Sequence, residues 1–254
     1  MDVILPTSIF LFGLVGGMIV NYVSDVLPHT RRLSGPHCWN CSQSQNWGNY
    51  FVWPRQCSHC GKRRKWRVWV VEVIFVSTAF WIWNSPPLDL GPIVGFVILV
   101  YFGAVVVIDI EHRVIMHPIS LAGVFLAGAV GINLHGFSAT LIGGVAGFGI
   151  LLVLYYFGDY FARWLARRRE QEFDDVALGF GDVNLAGVLG LLMGWPGITL
   201  GLVLGVLAGG VFSFFYIVFK LISRKYSAFS TIPYGPFLIF GAIVLLYFKE
   251  YFQS

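Results

Sequence analysis

The chain has 254 residues, of which 57% are hydrophobic and only 12% are charged, and its formal net charge is +4. Soluble domains are roughly half apolar and a quarter charged, so this composition, with a mean hydropathy of +0.73, excludes an ordinary water-soluble fold. The basic residues are concentrated in a few short loops, which argues against a nucleic-acid partner. The composition therefore predicts an integral membrane protein in contact with lipid.

Apolar stretches recur along the whole chain and predict an all-α, polytopic fold with about eight transmembrane helices. In chain order they cover residues 4–26, 68–84, 92–108, 117–134, 139–159, 183–196, 198–222 and 234–250. The first stretch has no basic segment before it and no small-residue cleavage site, which predicts a retained helix rather than a signal peptide. We expect three parts: a first membrane helix (1–26), a polar loop (27–67) and a seven-helix membrane core (68–254).

The Lys and Arg residues lie almost entirely on one side of the predicted membrane topology. Loops on one side of the membrane contain all but one of the 17 Lys and Arg residues, the exception being Lys249. They include the loop 27–67, a second polar loop at 163–178 and a third with Arg224 and Lys225. Because basic loops stay in the cytoplasm, this pattern predicts that these loops are cytoplasmic and that both termini are outside.

Four cysteines lie in the loop 27–67 as two Cys-x2-Cys pairs separated by 15 residues, Cys38 with Cys41 and Cys57 with Cys60. This spacing is typical of a structural zinc site, in which four thiolates surround the ion and leave no open position. A loop of about 40 residues is too small to fold around a hydrophobic core alone, so a metal would stabilise it. Disulfides or unliganded thiols are the alternatives, and a reducing cytoplasm disfavours disulfides.

Two aspartates lie at the ends of apolar segments on the predicted cytoplasmic side. Asp109 follows a purely apolar run, and Asp182 ends a Gly-Phe-Gly-Asp string ahead of another. Neighbouring carboxylates can share one proton, so that one activates a water molecule and the other protonates a carbonyl oxygen. Gly179 and Gly181, which lack a Cβ atom, would let a peptide strand approach Asp182. The alternative is a pair of ordinary interfacial aspartates, solvated or paired with basic residues such as Arg113.

Other carboxylates also lie near the ends of predicted spans, namely Asp25, Glu72 and Asp159. Charged groups at such positions are costly and are often functional. Glu72 starts the second span directly after the basic loop, and a helix-end ion pair with Arg63 or Arg67 is its simplest role.

Segments along nearly the whole chain resemble the bacterial type IV prepilin peptidases, which belong to the GxGD class of membrane aspartyl proteases. Residues 177–190 resemble the family's GxGD motif, 108–115 its first-aspartate motif, and 232–238 its C-terminal Ile-Pro-Phe-Gly-Pro-Phe string. The resemblance implies an endopeptidase that uses Asp109 and Asp182. Its substrates would be prepilins of type IV pili or pseudopilins of type II secretion. The resemblance implies cleavage after a Gly at the cytoplasmic face of the plasma (inner) membrane.

Many members of that family carry a four-cysteine loop and also N-methylate the new N-terminus with S-adenosylmethionine. The resemblance therefore implies methyl transfer as a second activity. The chain departs from the family pattern at Met116, Val176 and Asn184, and its segment between the cysteine pairs is short and lacks a Gly-rich methyl-donor motif. A peptidase without methyltransferase activity is one alternative.

Two other classes of function are compatible with the sequence. An ion- or proton-coupled transporter would use the aspartates as ligands or proton relays, although it predicts carboxylates near mid-membrane and an internal repeat. A catalytically inactive scaffold would use the cysteine loop to hold a secretion partner. The composition does not define an oligomeric state, because lipid-facing and partner-facing surfaces are alike in a membrane protein.

Overall fold

The computed structural model describes residues 4–38, 40–169, 179–223 and 233–249. These residues contain no β-strand, only two isolated β-bridges in the cysteine loop. Their helices are α1 (Ile4–Thr30), α2 (Trp47–Phe51), α3 (Arg67–Asn84), α4 (Gly91–His112), α5 (His117–Arg169), α6 (Phe180–Met193), α7 (Gly197–Ile222) and α8 (Gly235–Tyr247). Each of the eight predicted membrane segments overlaps one of these helices.

Five helical stretches are long and apolar enough to cross a membrane by length and composition: α1, α3, α4, α7 and residues His117–Phe161 of α5. The stretch in α5 has 45 residues, which at about 1.5 Å each is more than twice the thickness of a hydrocarbon core. A break at Gly136, with φ 79° and ψ 165°, divides it into the two predicted spans. The shorter apolar helices α6 and α8 complete the set, which confirms the predicted all-α polytopic membrane fold.

Two predicted boundaries are wrong. Helix α5 continues to Arg169, so residues 163–169 are helical and not part of a loop. Asp159 and Arg163, one helical turn apart and 2.8 Å from each other, form an ion pair that favours this continuation. Helix α6 begins three residues earlier than predicted, at Phe180, so that Asp182 lies inside its first turn.

Some predicted features lie outside the described residues. They are residues 170–178 of the second polar loop, which include Val176 and the start of the GxGD-like segment, the basic residues Arg224 and Lys225, and Ile232.

By packing, the chain divides into two compact units, Met1–Ile108 and Asp109–Ser254, with the boundary inside α4. The sequence instead predicts boundaries at residues 26 and 67, which separate the membrane helices from the polar loop. That three-part division stays a prediction.

Within the second unit, glycines let α5 and α6 pack backbone against backbone. A Cβ atom on Gly131, Gly143 or Gly147 of α5 would collide with a carbonyl oxygen of α6, and one on Gly190 of α6 would collide with a carbonyl oxygen of α5. Hydrophobic burial does not drive helices together in lipid, so such close contacts between small residues hold them. They fix α6, whose first turn contains Asp182.

Within the first unit, α1 packs on α3 in a similar way. A Cβ atom on Gly13 would lie 2.6 Å from the Cα atom of Val76, and one on Gly17 would lie 2.8 Å from the Cα atom of Glu72. These two closely packed helices support the loop that connects them.

We expect Gly143→Ala to lower the free energy of unfolding by about 1–3 kcal/mol, because the added methyl group forces the α5 and α6 backbones apart. Gly149→Ala is the matched control, since Gly149 lies on the same helix with open space beside it. Thermal unfolding of the detergent-solubilised protein measures the difference. Equal melting temperatures for the two variants would contradict the packing argument.

Candidate active site and metal centre

Asp109 lies in the last turn of α4 and is only 5% exposed. The helix ends there because Arg113 adopts a left-handed conformation, with φ 54°, while its N–H donates to the Asp109 carbonyl oxygen at 2.9 Å. The chain enters α5 four residues later, at His117. This turn holds the Asp109 side chain at the end of an apolar helix.

The Asp109 carboxylate is bound by the start of α8. Its Oδ2 atom accepts a hydrogen bond from the backbone N–H of Gly235 at 3.1 Å. Gly235 is the first residue of α8, and the free N–H groups at a helix start are directed toward negative charge. A Cβ atom on Gly235 would lie 2.7 Å from the same Oδ2 atom, so a glycine is required for this contact.

Asp182 also lies at a helix start. It is 8% exposed in the first turn of α6, and Gly179, with φ −74° and ψ 139°, is the extended N-cap residue. The Asp182 N–H donates to the Gly179 carbonyl oxygen at 3.0 Å, while the Gly179 amide interacts with the Asp182 carboxylate. Each candidate carboxylate therefore has a glycine amide beside it and the positive end of a helix dipole.

The two carboxylates belong to one site. Asp109 lies close enough to Asp182 to act on it electrostatically. The side chain of Ile115 joins the surrounding segments, because a Cβ atom on Gly181 would lie 2.8 Å from its Cβ atom and one on Gly235 would lie 3.5 Å from its Cδ1 atom. The structure thus brings together Asp109 and Gly235, which are 126 positions apart in the sequence, with Ile115 between them and Gly181.

The glycines of the Gly-Phe-Gly-Asp string have contacts of their own. Gly179 caps α6 beside Asp182, and Gly181 packs against Ile115. The contact of Gly181 explains its missing Cβ atom without a substrate, whereas a Cβ atom on Gly179 would lie an ordinary 3.4 Å from the Asp182 Oδ2 atom. The substrate-positioning role of the two glycines stays a prediction. Sequence reasoning missed Gly235, and the only signal for it was the Pro-Tyr-Gly-Pro string at the start of α8.

An apolar groove of about 800 Å³ runs along α5 and α6. Its α6 wall consists of Asn184, Gly187, Val188 and Leu191, and it begins two residues after Asp182. These positions recur with the spacing of one helix face, which is the pattern of a groove that receives another helix.

The four cysteine sulfurs form one cluster. All Sγ atoms lie within 4.8 Å of one another, and the Cys38–Cys60 and Cys41–Cys57 pairs are 3.6 Å apart. All four are free thiols, which is contrary to the disulfide alternative. A tetrahedral site with metal–sulfur bonds of about 2.3 Å has sulfur–sulfur edges of about 3.8 Å, so the cluster can hold a metal ion.

The two cysteine pairs lie in equivalent turns. The Ser42 N–H donates to the Cys38 carbonyl oxygen, and the Gly61 N–H donates to the Cys57 carbonyl oxygen, both at 2.9 Å. In each turn the residue after the second cysteine is left-handed, with φ 57° at Ser42 and 67° at Gly61. Backbone N–H groups of Cys60 and His59 lower the pKa of Cys57 to about 6, which favours the metal-binding thiolate.

Buried ion pairs attach this loop to α1 and α3. Asp25 of α1 pairs with Arg64 and Arg67 and accepts a hydrogen bond of 2.7 Å from the Tyr50 hydroxyl. Burial and the Asp25 charge raise the pKa of Tyr50, so its hydroxyl remains a donor. The Arg64 guanidinium also lies 3.9 Å from the centre of the Tyr50 ring.

The predicted partner of Glu72 is wrong. Glu72 pairs with Arg55 at 2.9 Å, and both side chains are buried. Arg55 is held in place because its Nε atom donates to the Phe51 carbonyl oxygen at 2.9 Å. Arg67 instead binds Asp25, and Arg63 belongs to a β-bridge with Gln56 in the second cysteine turn.

A cavity of about 250 Å³ lies beside the cysteine cluster, lined in part by Asp25, His29, His37 and Cys38. Pockets for ligands of drug size usually hold about 300–1,000 Å³. The cavity is slightly smaller than that range, and its lining does not identify it as a site for S-adenosylmethionine.

Residues 93–214 match the family model described as the type IV leader peptidase family. This match, over slightly less than half of the chain, supports assignment to the type IV prepilin peptidase family. The matched range contains Asp109 and Asp182, whereas the cysteine loop and Gly235 lie outside it. No curated protein and no solved structure matches the chain.

We expect Gly61→Ala to weaken metal retention and to destabilise the cysteine loop by about 1–2 kcal/mol, because the left-handed backbone disfavours a Cβ atom. Gly48→Ala is the control, since Gly48 lies in helix α2 and also has open space around it. Ser42→Gly should act in the opposite direction. Elemental analysis after incubation with increasing chelator concentrations measures how much metal each of the three variants retains. Unchanged metal retention in Gly61→Ala would contradict the expectation.

We expect Gly235→Ala to reduce peptidase activity about 100-fold, because it would displace the Asp109 carboxylate. A displacement of about 1 Å in a catalytic group has an effect of this size. The methyl group would lie only 2.7 Å from the Asp109 Oδ2 atom and would force that atom to move. Gly210→Ala, in an open position on α7, should retain activity. Initial rates of leader removal test this, and normal rates in Gly235→Ala would show that the Asp109 contact is dispensable.

Proposed function

We propose that this chain is an aspartyl endopeptidase that removes the leader of type IV prepilins or type II secretion pseudopilins by cleavage after a Gly. The observation that supports this best is the pair of buried carboxylates, Asp109 and Asp182, each beside a glycine amide at a helix start. Both lie in the segment that matches the leader peptidase family.

In this proposal the pair shares one proton and acts as a unit. One carboxylate removes a proton from a water molecule that attacks the scissile carbonyl carbon, and the other donates its proton to the carbonyl oxygen. The amides of Gly235 and Gly179 stabilise whichever carboxylate is charged, so neither role belongs to a fixed residue. The buried surroundings strengthen these electrostatic interactions relative to water.

The apolar groove beside α6 supports a substrate with an apolar helix. Its α6 wall starts next to the GxGD-like string, and Gly187 in that wall allows close helix contact. We place the scissile bond at the cytoplasmic membrane face, with the cysteine loop on the same side and both termini outside. The support is the distribution of basic residues, all but one of which lie on one side of the predicted topology.

We propose further that Cys38, Cys41, Cys57 and Cys60 bind a structural zinc ion. The sulfur distances fit a tetrahedral shell, and four thiolates would leave no position for a substrate. Bound zinc would supply a cross-link between the two cysteine turns. N-methylation with S-adenosylmethionine stays a prediction of the family resemblance.

Asp109→Asn and Asp182→Asn should each reduce cleavage by about 10²–10⁴-fold, because an amide can neither share nor transfer the proton. Asp159→Asn is the control, since this carboxylate pairs with the exposed Arg163 outside the site. Mass spectrometry of a co-expressed pilin precursor measures leader removal and any methyl group on the new N-terminus together. Complete processing by either of the first two variants would refute the aspartyl mechanism.

A further inference from the structure

Helix α3 has one packed face and one lipid-facing face in its first turns. Val68, Val71 and Glu72 are buried in the protein. Trp69, Val70 and Val73 are exposed on the other side. Because α3 is long and apolar enough to cross a membrane, this is the side that would face lipid. The start of α3 at Arg67 marks the height of the membrane surface.

The tip of the cysteine loop reaches the lipid-facing side of α3. This tip, which we call the loop tip, consists of Val52, Trp53 and Pro54. Trp53 is 71% exposed, and its ring centre lies 5.9 Å from that of Trp69. A ring that touches the lipid-facing side of a span in its first turn lies at the depth of the lipid headgroups.

The loop tip is held there by the protein. The guanidinium of Arg55, directly after the tip, lies 4.4 Å from the centre of the Trp69 ring and pairs with Glu72 of the same helix. Trp66, the residue before α3, is 78% exposed at the same height. Two exposed tryptophans thus flank the first turn of a membrane span, where Trp side chains are favoured because their rings are both apolar and polar.

The charge around the loop tip is positive. The loop 27–67 contains eight Lys and Arg residues and no Asp or Glu. Three of them, Arg55, Arg64 and Arg67, pair with Asp25 or Glu72. Lys62, Arg63 and Lys65, next to Trp66 in the chain, are exposed. Basic residues at this height attract anionic lipid headgroups.

We propose that the loop tip and Trp66 insert into the membrane interface, and that Lys62, Arg63 and Lys65 bind anionic phospholipid headgroups. A partner protein could also cover exposed tryptophans. Lipid is favoured because Trp53 touches the lipid-facing side of α3, and because the basic residues match the charge of phospholipids. The surface anchors the cysteine loop to the bilayer, and this inference does not depend on the peptidase mechanism.

Site-specific photo-cross-linking of the full chain tests this inference. Benzoylphenylalanine replaces Trp53 or Trp66 in two variants and Ser58, an exposed residue of the second cysteine turn, in a control. The variants are irradiated in membranes of the expressing cells and in nanodiscs of phosphatidylethanolamine with phosphatidylglycerol. Metal content shows that each variant has a folded loop.

We expect phospholipid adducts at positions 53 and 66 and few at position 58. Equal lipid yields at 53 and 58, or a protein adduct in place of lipid at 53, would overturn the proposed surface. Phosphatidylglycerol should be enriched among the adducts by about fivefold, the factor that one basic residue contributes at such a surface. The combined Lys62→Gln, Arg63→Gln and Lys65→Gln variant should lose this enrichment, and its persistence would overturn the role of the three charges.

Discussion

The site depends on hydrogen bonds between buried carboxylates and the free amides at helix starts. Asp109 is almost fully buried at the end of an apolar helix, where an ionised carboxylate without donors would cost several kcal/mol. Every other amide of a helix is used by the helix itself, so only a helix start can supply a donor without loss of its own hydrogen bonds. Gly235 provides this donor for Asp109, and the Gly179 amide lies beside the Asp182 carboxylate. In the proposed mechanism, the aspartates and the glycines therefore act together.

The position of Asp182 also depends on backbone contacts far from the site. Helix α6 has 14 residues and a length of about 21 Å, which is less than the hydrocarbon thickness of a bilayer. Its depth therefore cannot be set by apolar length alone. Gly143 and Gly190, which bring the α5 and α6 backbones into contact, fix the helix along its axis. A shift of this contact would move the first turn of α6 and separate Asp182 from Asp109.

Hydropathy and spacing predict the helices and the cysteine cluster because both are local properties of the chain. The break at Gly136 was visible as the end of one apolar run and the start of another. The contact of Gly235 with Asp109 joins residues 126 positions apart, and no periodicity reports such a pair. Likewise, charge alone could not select Arg55 as the partner of Glu72 in a loop with eight basic residues, because the choice depends on how the loop folds.

The metal cluster and the ion pairs have different roles in the first unit. The four cysteines join two turns within the loop and therefore determine its internal fold. Asp25 and Glu72 bind arginines of the loop and so determine how it lies on α1 and α3. A buried ion pair adds little net stability relative to apolar packing, but loss of one partner leaves an unpaired buried charge. The three observed ion pairs are made together only in this orientation of the loop, so they stabilise this arrangement. That arrangement also places Trp53 at the lipid-facing side of α3.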